Sequence, residues 1–246
     1  FAVYRPMHKT GPPGPAIIVS GVRGAVMEWE ILRNLEPSER RTVLANATRR
    51  RYRDGEHLFH QSDPGDSVHL VEKGHVSIQV VNPAGTTLTL TVLAPGNFFG
   101  EQALLDPDSR RTAAAVAIGT VETWELRRSA FNDLQRRYPQ VTVVLIEMLA
   151  SQVRRLSEQL LDAHTLTAEE RVLKQLRRLA ESFGSDGSAT IPLTQEDLAS
   201  LAGTTRPTAN RALQGLVDDG RVTLRRGRIE VPRIASLTEP RRRGVR

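Results

Sequence analysis

The sequence predicts an α+β chain: an antiparallel β-sandwich or barrel, then a long amphipathic helix, then a helix-turn-helix closed by a hairpin. Three patterns predict it. Short alternating apolar runs between Tyr52 and Leu126 are separated by turn signals. After Tyr138-Pro139 apolar residues recur at alternating three- and four-residue steps. From Thr194 a capping box, a glycine and a second apolar-faced helix follow in order.

The 246 residues suffice for two modest domains, each with a core. The composition, 39% hydrophobic and 25% charged, is that of an ordinary soluble protein, and no apolar run approaches the roughly 18 residues that cross a bilayer. A cytoplasmic location without a membrane partner is expected. The net charge of +6 favours a polyanionic partner. There is no cysteine, which excludes disulfides, thiolate catalysis, Cys-ligated zinc and Cys-bound iron–sulfur clusters within these residues.

Residues 1–27, with Gly11-Pro12-Pro13-Gly14-Pro15 and no long apolar stretch, read as a flexible leader, and a start at Phe1 suggests that numbering does not begin at the native first residue. Residues 28–138 form the sheet domain. It opens on short helices marked by Trp29, Leu32 and Leu35, with Ser38 as the expected cap before Val43 and Leu44. Strands are expected at His57-Leu58-Phe59, 68–71, 76–80, 88–92 and 121–124, with turns at Asp54-Gly55, Pro64-Gly65, Lys73-Gly74, 82–85 and Pro95-Gly96.

Residues 139–164 form the long helix, where Ile146, Leu149, Val153, Leu156, Leu160 and Ala163 make an a/d seam, so a homodimer is expected. The other reading is an amphipathic helix lying on its own domain. Residues 165–237 begin with a hinge near His164 to Thr167 and a helix from Thr167 to Phe183. Thr194-Gln195-Glu196-Asp197 then caps a helix with Leu198, Ala199, Leu201 and Ala202 inward, Gly203 makes the turn, and Ala209, Ala212, Leu213 and Leu216 face inward from the next helix. Thr205 is a plausible cap, and Pro207 is tolerated in the first turn. Arg206, Thr208, Asn210, Arg211 and Gln214 are expected to stay outside. Residues 222–231 alternate about Arg226-Gly227 as a wing hairpin would, putting Arg225, Arg226 and Arg228 where phosphates could meet them. Residues 238–246 are a basic tail.

The chemistry concentrates at Phe98-Phe99-Gly100-Glu101-Gln102-Ala103-Leu104-Leu105 and Arg110-Arg111-Thr112-Ala113. Gly100 lets the backbone turn so that N–H groups face an anion. Arg111 can meet a phosphodiester with two charge-assisted bonds, and Thr112 adds a hydroxyl donor. A carboxylate at Glu101 is useful there only if aimed at a donor such as a ribose hydroxyl. A cyclic sugar phosphate satisfies both charges.

This segment resembles the phosphate-binding cassette of the cyclic-AMP receptor protein and FNR (Crp/Fnr) superfamily of bacterial transcription regulators. The resemblance implies a jelly-roll-like β-roll, a dimerisation helix and a winged helix-turn-helix. It implies Glu101 on the ribose 2′-hydroxyl, Arg111 and Thr112 on the cyclic phosphate, and the Gly100, Glu101, Gln102 and Ala103 backbone around it. Aligned on Arg171, the positions that meet the base fall at Leu156 and Ser157, leaving Ser157 as the polar contact. Cyclic AMP is the expected effector, cyclic GMP the alternative. Double-stranded DNA and RNA polymerase are the expected partners. Thr194, Thr205, Arg206, Thr208, Asn210, Arg211, Arg225 and Arg226 are the expected DNA contacts, with Arg206 and Arg211 reading bases. Pro207 stands where activators of this family usually carry glutamate, and Ser62 where they usually carry glycine, with Gly65 expected to relieve the turn.

Other readings keep the roll but change the function: a regulator with another effector or none, or a cupin-type enzyme. The enzyme reading is disfavoured because His57 and His60, if on one strand, face opposite sides, and no nucleophile–base set stands out. No metal is expected. Arg49-Arg50-Arg51 and Arg241-Arg242-Arg243 read as solvated charge.

Overall fold

The computed structural model of the chain describes residues 29–102 and 110–238, so the leader, Ala103 and nearly all of the basic tail lie outside the described residues. The first sheet has the order β1-β6-β3-β4, from β1 (Thr48–Tyr52), β3 (Ser67–Val81), β4 (Thr87–Leu93) and β6 (Ala114–Arg127), with β2 (His57–Phe59) on β6 and β5 (Phe98–Phe99) on β3. Every pairing is antiparallel. The long β3 and β6 bend at register shifts between Val71, Lys73 and His75, and there Gly74, at φ +75°, has no room for a Cβ, which would lie 2.4 Å from the Thr120 carbonyl oxygen. Strands of this length curl into a roll whose interior holds Val71, Val76, Phe99, Ala115, Ala117 and Val121.

A second core joins the roll to helices. The 3-10 turn Glu30–Leu32, α1 (Pro37–Ala45), α2 (Arg128–Arg137) and the start of α3 (Gln140–Thr165) bury Trp29, Leu32, Val43, Phe131, Leu134 and Val144 against Val68, Leu70 and Phe98. Trp29 Nε1 donates to the Val71 carbonyl at 2.9 Å. Two expectations change here. The cap of α1 is Glu36, in a reciprocal box with Glu39, because Pro37 at the first helical position pulls Ser38 inside the helix. The helix α2 was not expected from the sequence; two apolar positions, Phe131 and Leu134, are what it buries.

Ser62 itself takes φ +72°, and Gly65 is not among the residues with positive φ, so the strain is borne by the serine. His60 lies beyond the end of β2, so its ring stacks on that of His57 at 4.3 Å instead of facing away from it. No group of three or more metal-ligating side chains forms among the described residues. Arg49 and Arg50 make cross-strand ion pairs with Glu72, Glu122 and Glu125 while staying about half exposed.

On α3 the apolar stripe is open: Val143, Ile146, Val153, Leu156, Leu160 and Leu161 are each more than half exposed. Leu149, expected in the seam, packs against the chain's own core instead. The chain breaks at Leu166, and Thr167 caps α4 (Ala168–Phe183) through a box with Glu170. The C-terminal unit has α5 (Gln195–Leu201), α6 (Arg206–Asp218) and a sheet of order β7-β8-β10-β9, from β7 (Gly184–Ser185), β8 (Ser188–Ile191), β9 (Thr223–Arg225) and β10 (Arg228–Val231). Asp186 and Gly187, both at positive φ, form the β7–β8 turn. Val172, Leu176, Ile191, Leu198, Ala209, Leu213 and Ile229 fill the core. No helix among the described residues is long and apolar enough to cross a membrane.

Candidate functional site

Arg111 is a buried guanidinium, 6% exposed, whose donors reach only neutral oxygens: Nη1 gives to the Gly100 carbonyl at 3.3 Å and Nη2 to Ser67 Oγ at 3.1 Å. Its backbone is fixed by Ser62, whose N–H donates to the Arg111 carbonyl at 2.8 Å, and by its own N–H to Asp63 O at 2.9 Å. The Phe59 ring lies 4.1 Å below the guanidinium carbon. Nε is buried with no partner. Among the described residues no carboxylate comes within ion-pairing distance of it, and burial lowers its proton affinity while Asp66, Asp63, Glu125 and Glu101 oppose that from further away. A buried cation in that state is incomplete without an anion.

Gly100 ends β5 at φ +88°. Glu101 follows, half-buried; burial raises its carboxyl above the ordinary value, opposed by its own and Gly100's backbone N–H groups and by Arg111. Thr112 Oγ1 donates to Gln102 Oε1 at 2.8 Å. Gly100, Glu101, Gln102, Arg111 and Thr112 therefore stand together on one cavity of about 620 Å³, and Ala103 lies outside the described residues. The opposite wall comes from Met148, Gln152, Arg155 and Gln159 of α3 and from Gln175 and Arg178 of α4. Ser157 is not brought there: it is exposed, and its hydroxyl donates to the Val153 carbonyl of its own helix at 3.0 Å. Positions 148, 152, 155 and 159 share one helical flank, each one residue before a seam position, and that spacing is the signal for this wall. Phe59 and Ser67 carried no sequence signal, because strand pairing alone brings them under Arg111.

The C-terminal unit presents α6 outward. Arg206 is exposed and sits 4.0 Å from Glu196, Arg211 and Thr205 are exposed, and Thr208 shares a 3.1 Å hydroxyl contact with Thr205. Thr205 occupies the cap position without a side-chain cap bond, whereas Thr194 caps α5 by accepting from Asp197 N at 3.1 Å. Asn210 departs from expectation: it flanks the core positions Ala209 and Leu213, is only half-exposed, and buries its Oδ1 without a partner. In the wing, Arg225 and Arg228 pair with Glu230 at 3.5 and 2.9 Å, and Arg226 at the tip is exposed.

The two units touch. Thr89 Oγ1 of β4 donates to Asp197 Oδ1 of α5 at 3.0 Å, and His75 stacks on Phe183 at 3.7 Å with Nε2 3.2 Å from Ser182 Oγ. Burial in that contact lowers the proton affinity of His75. Ile118 and Val92 of the roll join the core of the C-terminal unit.

Comparison with known proteins matches each unit. Residues 49–138 fit the cyclic nucleotide-binding domain family and residues 170–239 the Crp-like helix-turn-helix domain family. The chain is 35% identical over 209 residues to the cyclic AMP receptor protein of Thermus thermophilus, covering 85% of this chain and 95% of that one. This chain belongs to the Crp/Fnr family of transcription regulators. The family pairs a DNA-binding helix-turn-helix with a cyclic nucleotide-binding domain, and the relatives are transcription regulators, not enzymes. A second relative, the CRP-like cAMP-activated global transcriptional regulator of Mycobacterium tuberculosis, is 32% identical over 198 residues, 79% of this chain and 88% of its own. Among solved structures, the catabolite activator protein of Thermus thermophilus aligns with a TM-score of 0.51 at 34% identity, over 85% of this chain and 96% of that chain.

Proposed function

We propose that this chain is a homodimeric, cytoplasmic, cyclic-AMP-responsive regulator that binds an operator and acts on RNA polymerase. The observation that carries the effector reading is Arg111, a buried cation short of an anion beside a carboxylate that can take a ribose hydroxyl. A cyclic phosphate completes Arg111 and Thr112, Glu101 accepts from the 2′-hydroxyl, and the Gly100 to Gln102 backbone closes around the sugar phosphate. Thr112 must exchange its Gln102 partner for the phosphate. The relatives named for cyclic AMP support the choice of base.

The open stripe on α3 supports the dimer, since Ile146, Val153, Leu156 and Leu160 are exposed at seam positions with Val143 and Leu161 beside them, and so many large apolar side chains are unusual on a surface with no partner. Two α6 helices, held one DNA turn of about 34 Å apart, would read half-sites through Arg206 and Arg211, while Arg225 and Arg226 meet phosphates. The cavity walls come from the roll, α3 and α4, so a bound effector favours one placement of the C-terminal unit over another, and the Thr89–Asp197 contact belongs to one such state.

A second reading, an effector other than cyclic AMP, is favoured by one observation: Ser157 and Leu156, the positions that meet the base by resemblance, do not line the cavity of this chain. DNA-binding anisotropy with no nucleotide, cyclic AMP and cyclic GMP separates the readings. The proposal expects tighter operator binding with cyclic AMP; equal binding in all three arms contradicts it.

A further inference from the structure

The cavity has more basic groups than one cyclic phosphate uses. Arg110 and Arg111 come from the roll, whereas Arg155 of α3 and Arg178 of α4 come from the helical wall. Arg155 and Arg178 make no hydrogen bond or ion pair with any described residue, and both line the cavity while staying solvent-exposed. Both line the same wall, and the guanidinium of Arg178 loses proton affinity through partial desolvation and then through the charge of Arg155, with Glu158 opposing. Two like charges lining one wall, with no ion pair from either to a carboxylate, repel, and an anion held by both removes that repulsion. Gln152, Gln159 and Gln175 add amide donors on the same wall.

We propose that Arg155 and Arg178 form a second phosphate-binding subsite in this cavity, so that its best ligand supplies two phosphate groups, one for Arg111 and one for the α3–α4 pair. The inference rests on the nucleotide reading of Arg111 and deepens it. The second phosphate has two sources: a cyclic dinucleotide, which carries two phosphodiesters in one molecule, or a separate anion beside a cyclic mononucleotide. Because Arg178 belongs to the helix that leads into the DNA-reading unit, a ligand held at both ends bridges that unit to the roll.

The test is calorimetry on the full chain and on its Arg155→Ala, Arg178→Ala and Arg111→Ala variants, with cyclic AMP, cyclic di-AMP, and cyclic AMP in pyrophosphate as probes. Both arginines of the wall are exposed, so alanine at either leaves the core untouched. For a single two-phosphate ligand, Arg155→Ala and Arg178→Ala each weaken cyclic di-AMP about tenfold or more while cyclic AMP changes less than twofold. For a separate anion, pyrophosphate tightens cyclic AMP binding in the wild type and not in these two variants. Cyclic AMP binding that needs Arg111 but is indifferent to both variants in every arm overturns the second subsite alone. Equal loss of cyclic AMP and cyclic di-AMP in the variants also overturns it, because the pair would then serve the nucleotide as a whole. A wild type that binds none of the probes, with Arg111→Ala unchanged from it, overturns the nucleotide reading and this one with it.

Discussion

Gly100 and Arg111 are built around each other: a Cβ placed on Gly100 would lie 2.7 Å from Arg111 Nη1 and 3.1 Å from the Ser67 carbonyl oxygen. The glycine is required twice over, since its φ of +88° is also one that side-chain-bearing residues rarely adopt. Gly100→Ala is therefore expected to cost about 1–3 kcal/mol of stability and to push the guanidinium out of register. Thermal unfolding and nucleotide calorimetry on one sample check both; a variant as stable and as tight-binding as the parent would refute the coupling.

His69 gives the roll an acid limit. It is 3% exposed, stacked on Phe99 at 5.2 Å and 3.3 Å from Thr123 Oγ1, and burial lowers its pKa from 6.5 to about 4. Between those values the unfolded chain binds the proton that the folded chain refuses. Stability present above pH 6.5 is thus lost as the pH falls toward 4, by roughly 3 kcal/mol for this group. Urea unfolding across that range is expected to show the decline, and His69→Gln to flatten it; an unchanged slope in the variant would assign the decline elsewhere.

The dimer proposal rests on side chains that a single chain leaves in water. Val153 is 62% and Leu160 63% exposed. Placing Glu at both positions sets like charges against each other across the seam, so sedimentation is expected to show a monomer where the parent is a dimer. A parent that sediments as a monomer contradicts the proposal.

Arg206 and Arg226 are expected to fail differently. Arg206→Ala should cost about 1–3 kcal/mol at one operator base and relax preference there. Arg226→Ala should weaken all sequences alike and reduce the salt slope by about 1. Titrations on cognate and scrambled DNA at several salt concentrations tell the two apart, and a reversed pattern reassigns the roles.

Much of this was legible in the sequence because the decisive signals are local. Gly100 through Thr112 is one continuous segment, and Thr194 to Gly203 announces its helix by a capping box and its turn by a glycine. What escaped depends on pairing at a distance or on the flank of a helix beside its apolar seam. The cushion under Arg111 comes from Phe59 and Ser67 on other strands. The far wall of the cavity is the flank of α3 beside the seam, with Leu149 shared between the two, so the apolar periodicity alone does not mark it. The helix α2 carries only two buried apolar residues, too few for a periodic signal, and the β7–β8 hairpin around Asp186-Gly187 has strands too short for alternation to reveal.

The central claim is that Arg111 is a cation held ready for a cyclic phosphate. Calorimetry of cyclic AMP binding to the parent and to Arg111→Ala tests it most directly. Loss of a charged bond worth about 1.5–3 kcal/mol predicts affinity weakened about 10- to 150-fold. Equal affinity in the two proteins would contradict it.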